Sequence, residues 1–170
     1  MSHPLEDIIR SAEGFLLVGD SSEDRFPAFS YNAYTQAQKR FYCVDLGGLS
    51  ESRGPTKGGK VYRTLDEIPA EGRGDLAILW LLPHSAVKGV ELAHQFGAKR
   101  VWFSFKTGHQ DAVAKAKDLG MQVVEVGRCP VYYMDEQPGV CKGHTLLVKL
   151  SGTYGRPPAD DADPSRREVY

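Results

Sequence analysis

Five short polar stretches carry the residues with which this chain could bind or transform a ligand. The first is Gly19-Asp20-Ser21-Ser22, which ends the apolar run Phe15–Gly19. A glycine there lets the backbone turn tightly, and the amides that follow, helped by two hydroxyls, can wrap an anion. Arg25 adds positive charge. Ser30 is placed to cap a helix whose free N–H groups and dipole favour the same anion. A dinucleotide loop usually shows the spaced Gly-x-Gly-x-x-Gly; here there is one glycine, and Asp20 sets a carboxylate where the anion would lie. Standing alone, the loop reads first as an ordinary polar connection.

The second stretch begins at Asp45. An acidic residue about 20 positions beyond a glycine loop often binds the ribose hydroxyls of NAD. Asp45 stands somewhat farther along, and it is equally readable as a turn aspartate before Gly47 and Gly48. Arg53, Lys57 and Lys60 follow on a glycine-rich segment, either as partners for a further phosphate or as a solvated loop. The third stretch is Leu82-Pro83-His84-Ser85. Pro83 fixes a turn, Ser85 is read as a helix cap, and His84 is either a general base or a pocket-lining side chain. The fourth is Lys106-Thr107-Gly108-His109, with a lysine for phosphate and a glycine for close approach. The fifth holds Cys129, either a thiol facing a thiol ligand or a partly buried cysteine.

Five apolar segments position these stretches: Phe15–Gly19, Arg40–Leu46, Asp75–Leu82, Arg100–Phe105 and Met121–Val126. The third is apolar without alternation, as a strand buried on both faces should be. Lys60–Leu65 is either a minor strand or the lead into a turn. Helical spacing lies between them: Ala86, Val90, Ala93 and Gly97 share one stripe, and Ala112, Ala116 and Leu119 share another. Gly97 and Gly120 are placed to end those helices in the left-handed conformation. A weaker pattern runs from Ser30 through Tyr34, Ala37 and Gln38, and the opening residues form a short helix ending near Gly14. Alternation of this kind predicts an α/β fold, a doubly wound, mostly parallel five-stranded sheet with helices on both faces. Such sheets bind ligands beyond the carboxyl ends of their strands, where strand order reverses, and all five polar stretches lie at such ends. After Cys141 the alternation stops. Residues 1–140 therefore read as the domain and 141–170 as an extension, with Gly143–Leu150 a candidate extra strand and the rest a mobile tail or an arm across a partner. An exposed strand edge there would favour a homodimer.

Composition narrows the partners. With 21 Lys and Arg against 22 Asp and Glu, the net charge of -1 argues against a general nucleic-acid binder. No apolar run approaches the ~20 residues of a membrane span, and the opening residues lack a signal pattern, so a cytoplasmic protein is expected. Three cysteines without a Cys-x-x-Cys pair indicate neither a zinc site nor a dithiol motif.

Taken in order, the motifs resemble the small CoA-binding proteins, whose Rossmann-like domain is similar to the nucleotide domain of succinyl-CoA synthetase. The resemblance rests on Val18–Ser21, Arg25 and Ser30, Gly58–Pro69, Asp75–Pro83, Gly97–Phe103 and Gly127–Pro130, and covers roughly residues 10 to 135. It implies CoA as cofactor, its diphosphate on the Gly19–Ser22 loop and its adenosine towards the end of the second strand near Asp45. It also implies that the chain after Leu82 and the Lys106–Gly108 turn face the ligand. Three features depart from the family pattern: Asp20 replaces a small residue, Asp45-Leu46 stands where Asn-Pro is common, and the loop from Ser50 to Gly59 is longer. Phosphate binding at Gly19 then requires Asp20 to point away and Arg25 or Lys57 to compensate. The expected function is binding of CoA or an acyl-CoA without catalysis. The alternatives are an NAD(P)-binding protein and an interaction subunit that kept the fold and lost the site.

Overall fold

The structure, a computed structural model, describes residues 3–23, 33–47, 61–62, 65–70, 74–104, 109–124, 128–152 and 154. Among these, six strands form one sheet: Phe15–Gly19 (β1), Phe41–Asp45 (β2), Val61–Tyr62 (β3), Leu76–Trp80 (β4), Arg100–Phe103 (β5) and Gln122–Val124 (β6). Their order is β3-β2-β1-β4-β5-β6 and every pairing is parallel. The sixth strand is β3, the segment that the sequence left between strand and turn; it pairs with Cys43 and Val44 of β2. Strand order reverses between β1 and β4, so the carboxyl ends of those two strands flank the switch point.

Helices cover both faces: Pro4–Ser11 (α1), Pro83–Gln95 (α2), Gln110–Asp118 (α3) and Gly139–Leu150 (α4), with residues 33–36 also helical. Alternation along the strands divides the core in two. Phe15, Leu17, Cys43, Leu76, Ile78, Trp102 and Val124 pack under α1, residues 33–34 and the 3-10 turn Pro130–Tyr133. Leu16, Val18, Val44, Ala77, Leu79, Val101, Phe103 and Val123 pack under α2 and α3. Each residue of β1 is buried, which is why that segment carries no polar alternation.

The sequence sets the helix ends locally. The His3 ring accepts from the Leu5 N–H at 3.2 Å, and the Glu6 carboxylate accepts from the His3 N–H at 3.3 Å, a reciprocal cap on α1 with Pro4 next in line. Gly97 and Gly120 take φ of 85° and 71°, closing α2 and α3 in the left-handed region as their positions suggested. Ser85 is not the cap of α2. The helix begins two residues earlier at Pro83, and the Ser85 hydroxyl donates to the Leu82 carbonyl at 3.1 Å.

The largest correction concerns the end of the chain. Gly143–Leu150 is not a strand but the body of α4. Thr145 and Val148, three apart, are buried, while the adjacent Leu146 and Leu147 are both exposed; that is helical periodicity, and a strand would have buried one of the two leucines. The homodimer expectation rested on a strand edge here and loses that ground. The boundary expected at 140 falls inside α4, whose Val148 belongs to the same core as Phe15 and Trp102. Tyr154 fastens this segment to the opposite terminus. Its hydroxyl donates to Glu6 Oε1 at 2.6 Å, and its carbonyl accepts from Arg128 and from the Tyr133 hydroxyl.

Candidate functional site

The carboxyl edge at the switch point brings together Gly19, Asp20, Ser21, Ser22, Asp45, Leu82 and Pro83. Gly19 is paired with Asp45 on one side and with Trp80 on the other, so the loop after β1 emerges between the ends of β2 and β4. Arg25, Ser30, Lys57, Lys106, Thr107 and Gly108 lie outside the described residues.

Gly19 does not make the turn: it is still a paired residue of β1, and the backbone turns only after Asp20, in a single 3-10 turn over Ser21–Glu23. The amides that a phosphate would use are, however, engaged by the protein. Ser21 N donates to Asp45 Oδ1 at 2.7 Å, and the Ser21 hydroxyl donates to Asp45 Oδ2 at 2.8 Å. Ser22 N donates to Asp20 Oδ1 at 3.1 Å, and the Ser22 hydroxyl donates to the same oxygen. Asp20 therefore does not point away; it folds back over its own loop. The cause is local: an aspartate at the head of a turn accepts from the N–H two residues on, and so caps it. Both carboxylates are buried, Asp20 at 8% and Asp45 at 6% exposure, so neither is a solvated turn residue. Gly47 packs tightly on the arrangement. A Cβ there would fall 2.5 Å from Ser22 N and 2.7 Å from Asp20 Oδ1. This geometry does not fit a diphosphate on the Ser21 and Ser22 amides. A phosphate brought within ~4 Å of either carboxylate would meet repulsion on the order of 4 kcal/mol at an effective dielectric near 20.

Sequence reasoning raised Asp20 as a carboxylate at the anion position but missed the Asp45 bonds to Ser21 that complete the closure. It also missed Glu23. His84, considered as a general base, is exposed at the start of α2 and lies with Nε2 3.6 Å from Glu23 Oε1, so the two side chains meet across the switch point. The first turn of α2 has no acidic residue and no side-chain cap, and Pro83 at its head carries no N–H. The Leu82 carbonyl accepts from Ser85 N at 3.1 Å. Ser104, just past β5, is fully buried, and its N–H donates to the Leu79 carbonyl at 3.0 Å.

Cys129 lies apart from this loop. It opens the Pro130–Tyr133 turn and packs against the core beneath α1, together with Cys141. Burial pushes its thiol up to about 11, so it is protonated at neutral pH. A groove of about 400 Å³ between α1, the Pro130–Tyr133 turn and α4, lined by Glu6, Tyr132, Lys142, Lys149 and Tyr154 among others, shares no residue with the switch point. Among the described residues no group of three or more His, Cys, Asp and Glu could hold a metal ion, and no helix is long and apolar enough to cross a membrane.

Comparison with known proteins bears on this edge. The model of the CoA binding domain matches residues 14–134, the span from the residue before β1 to the residue after the Pro130–Tyr133 turn. Among solved structures, a hypothetical protein from Pyrococcus horikoshii OT3 is 24% identical with a TM-score of 0.62, over 76% of this chain and 87% of that one. A structure described as the PH1109 protein redesigned for binding is 25% identical, with the same TM-score of 0.62 and the same coverage, 76% and 87%. A Thermus thermophilus protein, 17% identical with a TM-score of 0.56 over 75% of this chain and 95% of that one, shares the fold. No curated protein matches the chain. The domain match runs through the whole parallel sheet and across its switch point, and the chain belongs to the CoA binding domain family.

Proposed function

We propose that the protein binds CoA or an acyl-CoA along the carboxyl edge of its sheet and performs no chemistry on it. The observation that carries this reading is the reversal of strand order between β1 and β4 within the span matched by the CoA binding domain. Two further observations support it. Asp45 spends both carboxylate oxygens on Ser21, which opposes the NAD reading, where that residue would accept from ribose hydroxyls. Cys129, the residue closest to a reactive group in the sequence, is held as a neutral thiol by burial, which opposes covalent catalysis through it.

The test is thermal denaturation with CoA, acetyl-CoA, NAD, NADP and ATP. A ligand at 100 times its Kd adds about 2.7 kcal/mol to the folded state, which for a chain of this size raises Tm by about 5–10 °C. CoA and acetyl-CoA are expected to give that rise. A rise with NAD alone would replace the reading with the dinucleotide one, and no rise with any of the five would favour an interaction subunit that kept only the fold.

A further inference from the structure

We infer that the Gly19–Ser22 loop is closed to phosphate by the protein's own Asp20 and Asp45, and that these two side chains set how strongly it takes a phosphorylated ligand. The inference deepens the CoA reading and rests on it for the identity of the ligand, but the closure is a property of the loop itself. Three facts carry it. Each of the two amides is matched with a carboxylate oxygen, and each hydroxyl is matched with a carboxylate as well. Both carboxylates are buried, so ligand entry does not simply displace water from them. Gly47 leaves no room on its side, since even a methyl group would run into the Ser22 amide and Asp20.

The two carboxylates, each accepting two of these four hydrogen bonds, present to the loop the kind of oxygen acceptor and the negative charge that a phosphate would. Internal carboxylate and external phosphate therefore compete for one set of donors. The ligand has to break charge-assisted hydrogen bonds and leave two carboxylates to find new partners, or else its phosphates lie elsewhere along the edge. In both cases the loop contributes less to binding than it would with a small neutral residue at position 20.

The experiment compares the full chain with Asp20→Ser and Asp20→Asn. Serine removes the charge and leaves only a shorter, weaker hydroxyl acceptor; asparagine keeps an amide oxygen for the capped turn and removes only the charge, so it preserves the fold if serine does not. Each form is titrated with inorganic pyrophosphate, followed by the backbone amide signals of Ser21 and Ser22, and with CoA by calorimetry. The expected result is that pyrophosphate moves the Ser22 signal in the variants and leaves it in place in the parent chain at the same concentration, with Ser21, still held by Asp45, moving less. CoA is expected to bind Asp20→Ser about tenfold more tightly than the parent, the gain from one charge-assisted bond no longer contested. Equal movement in parent and variants, or movement in none, overturns the closure. The CoA arm separates the two readings. A parent that binds CoA while no form responds to pyrophosphate keeps the proposed function and loses the inference. Variants that respond to pyrophosphate when no form binds CoA keep the inference and lose the function.

Discussion

Asp20 and Cys129 show how a residue's surroundings decide its chemistry. Both were candidates for contact with a ligand; one caps a turn and the other packs, partly buried, against a core. The thiol gives a measurable consequence. Burial raises Cys129 from its ordinary 9.0 to about 11, and it raises Tyr132 from 10.0 to about 12. A group whose folded pKa lies above its unfolded one contributes stability that is complete below the unfolded value and is lost as pH rises through the folded value. Urea midpoints should therefore hold steady up to about pH 9 and then fall, each such group adding a slope that approaches ~1.4 kcal/mol per pH unit. Cys129→Ala should flatten the first part of that fall, between pH 9 and 11. A fall of unchanged steepness in the variant would place the effect elsewhere. The sequence left position 129 between a ligand-facing thiol and a partly buried cysteine, and the structure shows the second; what covers it was not legible, because it packs against a core that includes residues of α1 and α4 from distant parts of the chain.

At the scale of elements, strands and interior helices followed from the sequence because pattern and context agree there. Apolar runs became parallel strands, and Gly97 and Gly120 ended helices where expected. The failures came where two periodicities fit one short segment. Gly143–Leu150 is only eight residues, and its apolar content suits a strand until burial on one helical face is known. That correction has a direct test. Leu146 and Leu147 are 58% and 65% exposed, so Leu146→Lys and Leu147→Lys should each change unfolding free energy by less than about 0.5 kcal/mol. In a strand against the core, one of the two would be severely destabilising. Val148→Ala, on the buried face, should cost about 2 kcal/mol from lost methyl burial and the space left behind. Chemical denaturation of the three variants reads all of this.

Across the whole molecule, the ends of the described chain are joined. The His3 ring lies 5.0 Å from Tyr133 and 5.3 Å from Tyr154, Tyr133 and Tyr154 lie 4.8 Å apart, and the Tyr154 hydroxyl reaches Glu6. Tyr154→Phe keeps the ring and removes that donor; differential scanning calorimetry should show a loss of about 1–2 kcal/mol, near the lower end of the range for a bond to a charged acceptor. No change would mean that the join is held by ring packing and by the bonds to the Tyr154 carbonyl, without help from the hydroxyl. This long-range contact could not be read from the sequence, since nothing near Glu6 or Tyr154 announces a partner 148 positions away. The parallel sheet was readable from spacing, but its sixth strand was left open and the place where its order reverses was not given by the pattern. The closure of the first loop was not, because it depends on the Asp45 side chain crossing from the neighbouring strand.

The two tryptophans report from very different places. Trp102 is fully buried, with its indole N–H donating to the Arg128 carbonyl at 2.8 Å. Trp80 is only half-buried and sits as the strand partner of Gly19. The molecule thus carries a built-in optical gauge at its switch point. With Trp102→Phe as background, emission from Trp80 should change colour or brightness when a guest settles beside Gly19, and stay constant when one lodges in the groove by Tyr154.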